Sequence, residues 1–567
     1  MNKKKILVWL YLVIIVVAVL LPRLLDLDQY VTTDEPLWLH RSANFYYALG
    51  QREFQYTYQD KHPGVTIMWA GAAGFLVDYP EYRGMGQGYF SPLDFDSYLD
   101  RIGKEPLELL VAGRVFVVLG AAITLAIAFL ITSKLIGTLP AFIGFLFIAF
   151  DPFIIALNTI LHPDALLPSL MLLSAVAYIA YLTKDRKWIY LIISVIAAAW
   201  SWMTKYSGLF LIPYVGLVSI IYAAGKKRGW RDGIKRIIFP ILLWLLFSSI
   251  AFAVFWPAMW VAPLQTLSSI FNAFQSGFSS DTSMPILLNG EIVSLSLSNL
   301  SFYPLHTLWR STPAVLIGLV FVIVGMLSFL RKRIETRRTL LLFALFVIFY
   351  ISGLSLGGLK ANRYIGAIFL FLDLIAGIGW FEILDVFIGW LRGRYNLSGT
   401  KVIQSTLIGI LVISHILLII QTHPYYWAYY NPLLGGTKKA VEVIDVGYGE
   451  GLDQAASYLK TKPDASDLKV LSWYGTGPLS YYFPAEVQDM LIRSSWGYSN
   501  ARRLAISDYV VTYVIQWQKS MPKELIDVLS KIEPEYTAII NGVEYAKVYK
   551  VSDILKNDYE NLMQVED

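Results

Sequence analysis

The stretch TTDEPLW, residues 32–38, sets two adjacent carboxylates, Asp34 and Glu35, just beyond an apolar run long enough to cross a bilayer. A carboxylate within reach of a hydroxyl can act as general base, and two neighbouring carboxylates can differ in pKa and in role. The same residues also read as a helix start. Thr33 or Asp34 would cap it, Pro36 would sit in its first turn, and acids there favour the helix dipole. The local pattern leaves both readings open.

Further residues of the same kind recur along the chain. LHPDALLPS (161–169) carries His162 and Asp164, either of which also has a structural reading: Asp164 as cap of a helix from Ala165, His162 as an interfacial histidine. Together with Asp34 and His62 these are suitable ligands for a divalent metal, although no paired H-x-x-x-H spacing supports a site. Lys205, in WMTKYSG, either snorkels to the interface or holds a lipid-linked phosphate as a point charge. Lys360 and Arg363, in GGLKANRY, invite the phosphate reading too, with Arg able to grip oxygens bidentately. Arg114 lies in the first turns of an apolar helix, where a charge is a functional suspect. Asp151, before Pro152, is read as pairing with a cation for stability.

The elements that must position these residues are membrane spans. The 567 residues are 56% hydrophobic and only 16% charged, against about 25% charged for soluble domains. The mean hydropathy is +0.53. The net charge of +5 lies in short clusters between apolar runs, a pattern of membrane topology that argues against nucleic acid as a partner. With no cysteine, disulfides and thiolate metal sites are excluded. About eleven runs have spanning length, near 6–25, 109–132, 138–158, 163–183, 188–204, 206–225, 236–257, 311–330, 339–358, 364–388 and 403–421. The first is read as a retained helix, because it is long and no A-x-A site follows it.

Placing the N-terminal KKK inside puts TSKLIG, KDRK, GKKRGWRDGIKR, RKRIETRR and LRGRYNLSGTK on the same, cytoplasmic side. This holds only if HPGVTIMWAGAAGFLV (62–77) does not span, so that segment is expected to be an outer juxtamembrane or re-entrant piece. The opposite face then gathers Asp34, Glu35, His62, His162, Asp164, Lys205, Lys360, Arg363 and everything after about 423. The expected organisation is a transmembrane domain over residues 1–422, whose first outer loop (26–108) carries the Asp-Glu pair, and a small extracytoplasmic α/β domain, 423–567. In the latter, LKVLSWYG and DYVVTYVI read as strands, GLDQAASYLKTKP and MPKELIDVLSKI as helices, and EYTAIINGVEYAKVYKV as a hairpin turning at Asn541-Gly542.

A carboxylate base, phosphate-binding cations and an aromatic-rich outer surface at a membrane suggest transfer of a sugar from a polyprenyl phosphate to an acceptor hydroxyl. The motifs carry a resemblance that agrees. TTDEPLW, DKHPGVTIMWA, GRVFVVLGAAITLAIAFLI, FDPFIIALNTILHPDALL, AWSWMTKYSGLFLIPY and LKANRYIGAIFLFL occur in this order, and the chain resembles membrane glycosyltransferases of the protein O-mannosyltransferase and lipid A aminoarabinose-transferase type (family 39-like). HPYYWAYYNPLLGG with GYGEGLDQAASYL looks like the linker of prokaryotic members that carry an outer domain.

The resemblance implies a polytopic helical GT-C fold with juxtamembrane helices in the first outer loop. It implies an inverting transfer from a polyprenyl-phosphate sugar, with Asp34 as base, Glu35 and Arg114 shaping the site, and Lys205 with Arg363 facing the donor phosphate. No cofactor is certain, and a divalent metal stays possible. The sequence departs from the family pattern at Pro63-Gly64, where a Pro-Pro pair is usual, and at Asp151-Pro152, where Ser-Pro is common. The luminal repeat domain of eukaryotic protein mannosyltransferases is not recognisable, which weighs against a protein acceptor and leaves a glycolipid or polymer acceptor open; the expected acceptor is a glycolipid, a polysaccharide or a protein. A transporter or flippase of lipid-linked sugars is the alternative. It would place polar groups through the bilayer midplane and often show two related halves, neither of which the sequence displays.

Overall fold

The protein was analysed as a computed structural model that describes residues 3–60, 62–85, 91–224, 230–279, 285–294, 299–327, 334–395, 399–490 and 497–563. Parts of the cationic segments GKKRGWRDGIKR, RKRIETRR and LRGRYNLSGTK lie outside the described residues, as does Lys61. Among the described residues, eight helices are long and apolar enough to cross a membrane, or ten if each of two bent pairs counts as one span. All eleven apolar runs read from the sequence are helical where they are described. The difference in number comes from helix Trp188–Thr204, which has 17 residues, from the broken run 138–158, and from the run 311–330, whose described helix Pro313–Leu327 has 15 residues.

The run 138–158 is not one continuous span. It bends by 64° between Thr138–Phe150 and Pro152–Asn158. Pro152 cannot donate to the first helix, and Asp151 Oδ1 instead accepts from Phe153 N and Ile154 N to cap the second. The carbonyls orphaned at the break are satisfied by the buried Arg23, which donates to Ala149 O at 2.9 Å and Ile148 O at 3.3 Å, a cation placed at a helix C-terminus. The second bend, 112°, separates Phe302–Arg310 from Pro313–Gly325.

Between the first two long helices the chain folds outside them into Glu35–Gln51, Val65–Asp78 and Pro92–Ile102. At 14 residues Val65–Asp78 is only about 21 Å long, too short to span. It packs backbone against backbone on the long helix Pro106–Ile136. A Cβ on Gly74 would lie 2.6 Å from Gly113 N, and one on Gly113 would lie 3.5 Å from Gly71 Cα. At position 74 only glycine permits this approach.

A hairpin outside the apolar helices, β1 (Pro285–Leu288) and β2 (Glu291–Ser294), turns at Asn289-Gly290, where both residues have positive φ. The sequence reading did not anticipate it. The C-terminal region holds a five-stranded mixed sheet of β3 (Lys469–Ser472), β4 (Glu486–Asp489), β5 (Tyr509–Tyr513), β6 (Tyr536–Ile540) and β7 (Val543–Lys550), in the order β4-β3-β5-β7-β6. β3 runs parallel to both β4 and β5, whereas β7 is antiparallel to β5 and β6. The β6–β7 hairpin turns at Asn541-Gly542 (φ 51° and 74°), as expected. The expected helices are present at Leu452–Leu459 and Lys523–Leu529.

Candidate active site

The loop carrying the two carboxylates is held by one buried ion pair. Arg114, in the helix Pro106–Ile136, donates through Nε to Glu35 Oε1 at 2.7 Å and through Nη2 to Oε2. Its guanidinium also reaches Leu27 O at 2.5 Å and Tyr30 O at 3.1 Å. Glu35 in turn accepts from Thr32 N at 2.9 Å, Thr32 Oγ1 at 3.0 Å and, across the chain, Leu161 N at 2.8 Å. Fully buried and with both oxygens engaged by five donors, Glu35 is a clamp for the loop. A carboxylate so saturated has no lone pair to offer a substrate proton, so this geometry suits a site-shaping role for Glu35 and not a catalytic one.

Asp34 takes the other course. It occupies the N-cap position of Glu35–Gln51, yet its side chain makes no cap hydrogen bond, so the helix-start reading does not describe its carboxylate. The closest contact of each described partner falls on one oxygen. Oδ2 accepts from Tyr448 Oη at 2.6 Å, pairs with Arg363 Nη2 at 3.0 Å and lies 3.6 Å from His162 Nε2. Burial pushes the Asp34 carboxyl up, but Arg363, His162, the Tyr448 hydroxyl and Lys205 together outweigh it and hold the group at about 2. Asp34 is therefore ionised at neutral pH, and its side chain keeps 27% exposure where Asp164 keeps 2%.

Asp164 and Lys205 form the floor of the same cluster. Lys205 Nζ donates to Asp164 Oδ1 at 2.7 Å, and Arg363 Nε lies 3.4 Å from Asp164 Oδ2, so Arg363 spans both carboxylates. The Lys205 ammonium also sits 3.7 Å from the centre of the Tyr364 ring. His162, not Asp164, caps the helix Pro163–Thr183, its Nδ1 accepting from Asp164 N at 3.2 Å. That bond puts the proton of the neutral ring on Nε2, facing Asp34. Burial lowers the His162 pKa to about 4 against the pull of Asp164 and Asp34, so the ring is neutral at pH 7.

Two expected participants are placed differently. His62 stacks on Tyr206, centroids 5.0 Å apart, beside Lys205. Its segment docks on the end of Trp188–Thr204 through Gly64 N to Thr204 O at 3.0 Å and Thr66 Oγ1 to Thr204 Oγ1 at 2.7 Å. Gly64 adopts φ +60°, and a Cβ there would meet Trp38 at 1.9 Å, which explains glycine at this position. Lys360 directs its Nζ to Gly357 O at 2.7 Å. Among the described residues no group of three or more His, Asp or Glu could hold a metal ion. The four suspected ligands fit one poorly: Lys205 and Arg363 occupy the carboxylates, Asp164 N occupies His162 Nδ1, and His62 stacks on Tyr206.

Sequence reasoning missed Tyr448. It sits in GYGEG, where Gly447, Gly449 and Gly451 have φ of +102°, +129° and +86°. The alternating glycines were the available signal for a chain held in a shape that side chains resist.

A search of curated proteins finds no match to the sequence. The family model described as dolichyl-phosphate-mannose-protein mannosyltransferase matches residues 108–260, well short of half the chain. Among solved structures, ArnT from Cupriavidus metallidurans bound to undecaprenyl phosphate is 11% identical, with TM-score 0.48, covering 96% of this chain and 98% of its own. The oligosaccharyltransferase AglB from Archaeoglobus fulgidus, with an inhibitory peptide and a dolichol-phosphate, is 12% identical, with TM-score 0.46, covering 91% and 70%. The Pmt1-Pmt2 protein O-mannosyltransferase complex of S. cerevisiae, bound to the sugar donor, is 20% identical over 47% of this chain and 34% of its own, with TM-score 0.34. The chain is a multi-pass helical membrane protein that resembles membrane glycosyltransferases in its ordered motifs and in the family match over 108–260.

Proposed function

We propose that the protein is an inverting glycosyltransferase that moves a sugar from a polyprenyl-phosphate donor to an acceptor hydroxyl on the extracytoplasmic face. The acceptor is a glycolipid, a polysaccharide or a protein. The observation that carries this reading is the pairing, in one cluster, of a single accessible carboxylate, Asp34, with two cations, Arg363 and Lys205. In the reaction the acceptor oxygen bonds to the anomeric carbon from the face opposite the leaving group. The bond from that carbon to the phosphate oxygen breaks, the polyprenyl phosphate departs with the electron pair, and the hydroxyl proton passes to Asp34. Arg363 and Lys205 stabilise the charge that grows on the phosphate.

Arg363 is engaged by Asp34 and Asp164 in the resting cluster, and Lys205 by Asp164. A donor phosphate would compete for these cations. As Arg363 turns to the phosphate, Asp34 loses its strongest charge partner and its basicity rises, which couples donor arrival to activation of the base. The N-terminus would lie in the cytoplasm, and residues 423–567 would form an extracytoplasmic unit beside the transmembrane domain of residues 1–422. Purified protein in proteoliposomes should transfer sugar from a polyprenyl-phosphate donor, and mass spectrometry of its co-purifying lipid should find such a carrier. Asp34→Asn should abolish turnover while leaving the unfolding midpoint near that of the wild type. Full turnover by Asp34→Asn would refute the assignment.

A further inference from the structure

Among the described contacts of Asp34, every partner meets Oδ2: the Tyr448 hydroxyl, Arg363 Nη2 and His162 Nε2. These closest contacts leave Oδ1 as the less engaged oxygen of the carboxylate. Arg363 and His162 belong to the membrane-embedded region of the chain, but Tyr448 comes from the C-terminal region, 414 positions from Asp34. Its ring lies between Trp427, centroids 4.9 Å apart, and the Arg363 guanidinium, 5.3 Å from the ring centre. Tyr448 thus touches both members of the Asp34–Arg363 pair.

The loop that presents it is built with little freedom. Tyr448 N donates to the buried Glu450 Oε2 at 2.6 Å, Gly449 N donates to Tyr513 Oη at 2.8 Å, and Tyr513 Oη donates to the same Glu450 oxygen at 3.0 Å. Gly449 lies so close to the Asp34 loop that a Cβ would come within 2.2 Å of Val31 O. Burial keeps the phenol protonated far above neutral pH, so the hydroxyl is a permanent donor to the carboxylate.

We propose that Tyr448 is a positioning residue for Asp34: its hydroxyl anchors Oδ2 so that Oδ1 meets the acceptor hydroxyl. It stays on the base when Arg363 turns to the donor phosphate. The active site is then completed by the C-terminal region, and a chain ending before that region lacks a portion of the catalytic geometry. This inference rests on Asp34 being the base of the proposed transfer.

The test is Tyr448→Phe in the full-length protein, which keeps the ring against Trp427 and Arg363 and removes only the hydroxyl. A hydrogen bond to a charged group supports an expected fall in kcat of about tenfold or more. The KM for a polyprenyl-phosphate sugar should stay within about twofold, because the hydroxyl serves the base and not the phosphate. The infrared carboxylate band of Asp34, identified by its loss in Asp34→Asn, should shift. Difluorotyrosine at position 448, a stronger donor with the same shape, should move that band in the opposite direction and gives a second reading should Tyr448→Phe fold poorly. An unmoved band in both variants overturns the inference, and so does a rise in KM with kcat unchanged. If the wild type transfers no sugar, the glycosyltransferase reading fails; if Asp34→Asn transfers as well as the wild type, Asp34 is not the base and this inference falls with it; if Asp34→Asn is inactive while Tyr448→Phe matches the wild type, only the positioning role fails.

Discussion

Replacing Glu35 by Gln separates a clamp from a catalyst. The carboxylate accepts from Arg114 Nε and Nη2, Thr32 N and Oγ1, and Leu161 N, and its side chain is fully buried against an Arg114 side chain that is 3% exposed. A carboxamide keeps the shape but has one acceptor oxygen and turns an NH2 group toward donors. It also leaves the guanidinium buried without its counter-charge, a loss of about 3–5 kcal/mol for breaking one side of such a pair. The Asp34 loop, tied by the same guanidinium at Leu27 O and Tyr30 O, should loosen. A displacement of about 1 Å costs on the order of a hundredfold in rate. The assay is thermal unfolding in detergent, followed by tryptophan fluorescence, alongside sugar transfer, for Glu35→Gln, Arg114→Met and the double variant. Both single variants should lower the midpoint by several degrees. The double variant should be less destabilised than their sum, because it removes both charges at once. Strictly additive losses would refute the clamp. So would a Glu35→Gln protein with the wild-type midpoint and no turnover, which would return Glu35 to the chemistry.

Two further outcomes follow from the contacts between the C-terminal region and the segment linking the first two long helices. Gly449→Ala combines φ +129° with a Cβ 2.2 Å from Val31 O, a backbone atom that cannot swing aside, so it should lower both the unfolding midpoint and transfer, with strain of ~1–3 kcal/mol from the dihedral alone; a wild-type-like variant would contradict the close approach. Asp96, whose Oδ1 accepts from Tyr481 Oη at 3.2 Å, is raised by burial to about 7, against the Tyr481 bond and with Asp100 adding to the rise. Between 3.8 and about 7 the folded chain holds a proton there that the unfolded chain releases, so this contribution to stability is full at low pH and is lost as pH rises through about 7. Unfolding midpoints of Asp96→Asn and wild type should therefore diverge from pH 5 to pH 8 in favour of the variant, and a gap that does not change with pH would count against the buried carboxyl.

Much of the cluster was legible because a charge that topology does not require stands out in an apolar chain. Asp34, Asp164, Lys205 and Arg363 could be gathered on one face from the sequence by that rule, and the structure brings them into contact. What each does was harder to read. Asp34 and Glu35 are neighbours with the same chemistry, and only Arg114 and Leu161, 79 and 126 positions from Glu35, make one a clamp and leave the other accessible. Tyr448 was hidden among 36 tyrosines, and its partner is far away in sequence. In the fold, the apolar runs gave the helices and Asn541-Gly542 gave its hairpin, because both signals are local. The 64° break at Asp151-Pro152 had a local signal too, but its stabiliser, Arg23, lies 126 residues from Ala149.

The glycine contact between the short helix Val65–Asp78 and the long helix Pro106–Ile136 has a consequence for inheritance. Gly113 directly precedes Arg114, and a Cβ on Gly74 would lie 2.6 Å from Gly113 N and 2.9 Å from Ala112 C, all backbone. Any side chain at position 74 must push away the segment that carries the guanidinium on which the Asp34 loop hangs. A glycine in an apolar helix is thereby made as intolerant of substitution as the charged residues that depend on it. In a mutational scan its intolerance would mimic that of a reacting residue, though what it contributes is only the absence of a methyl group.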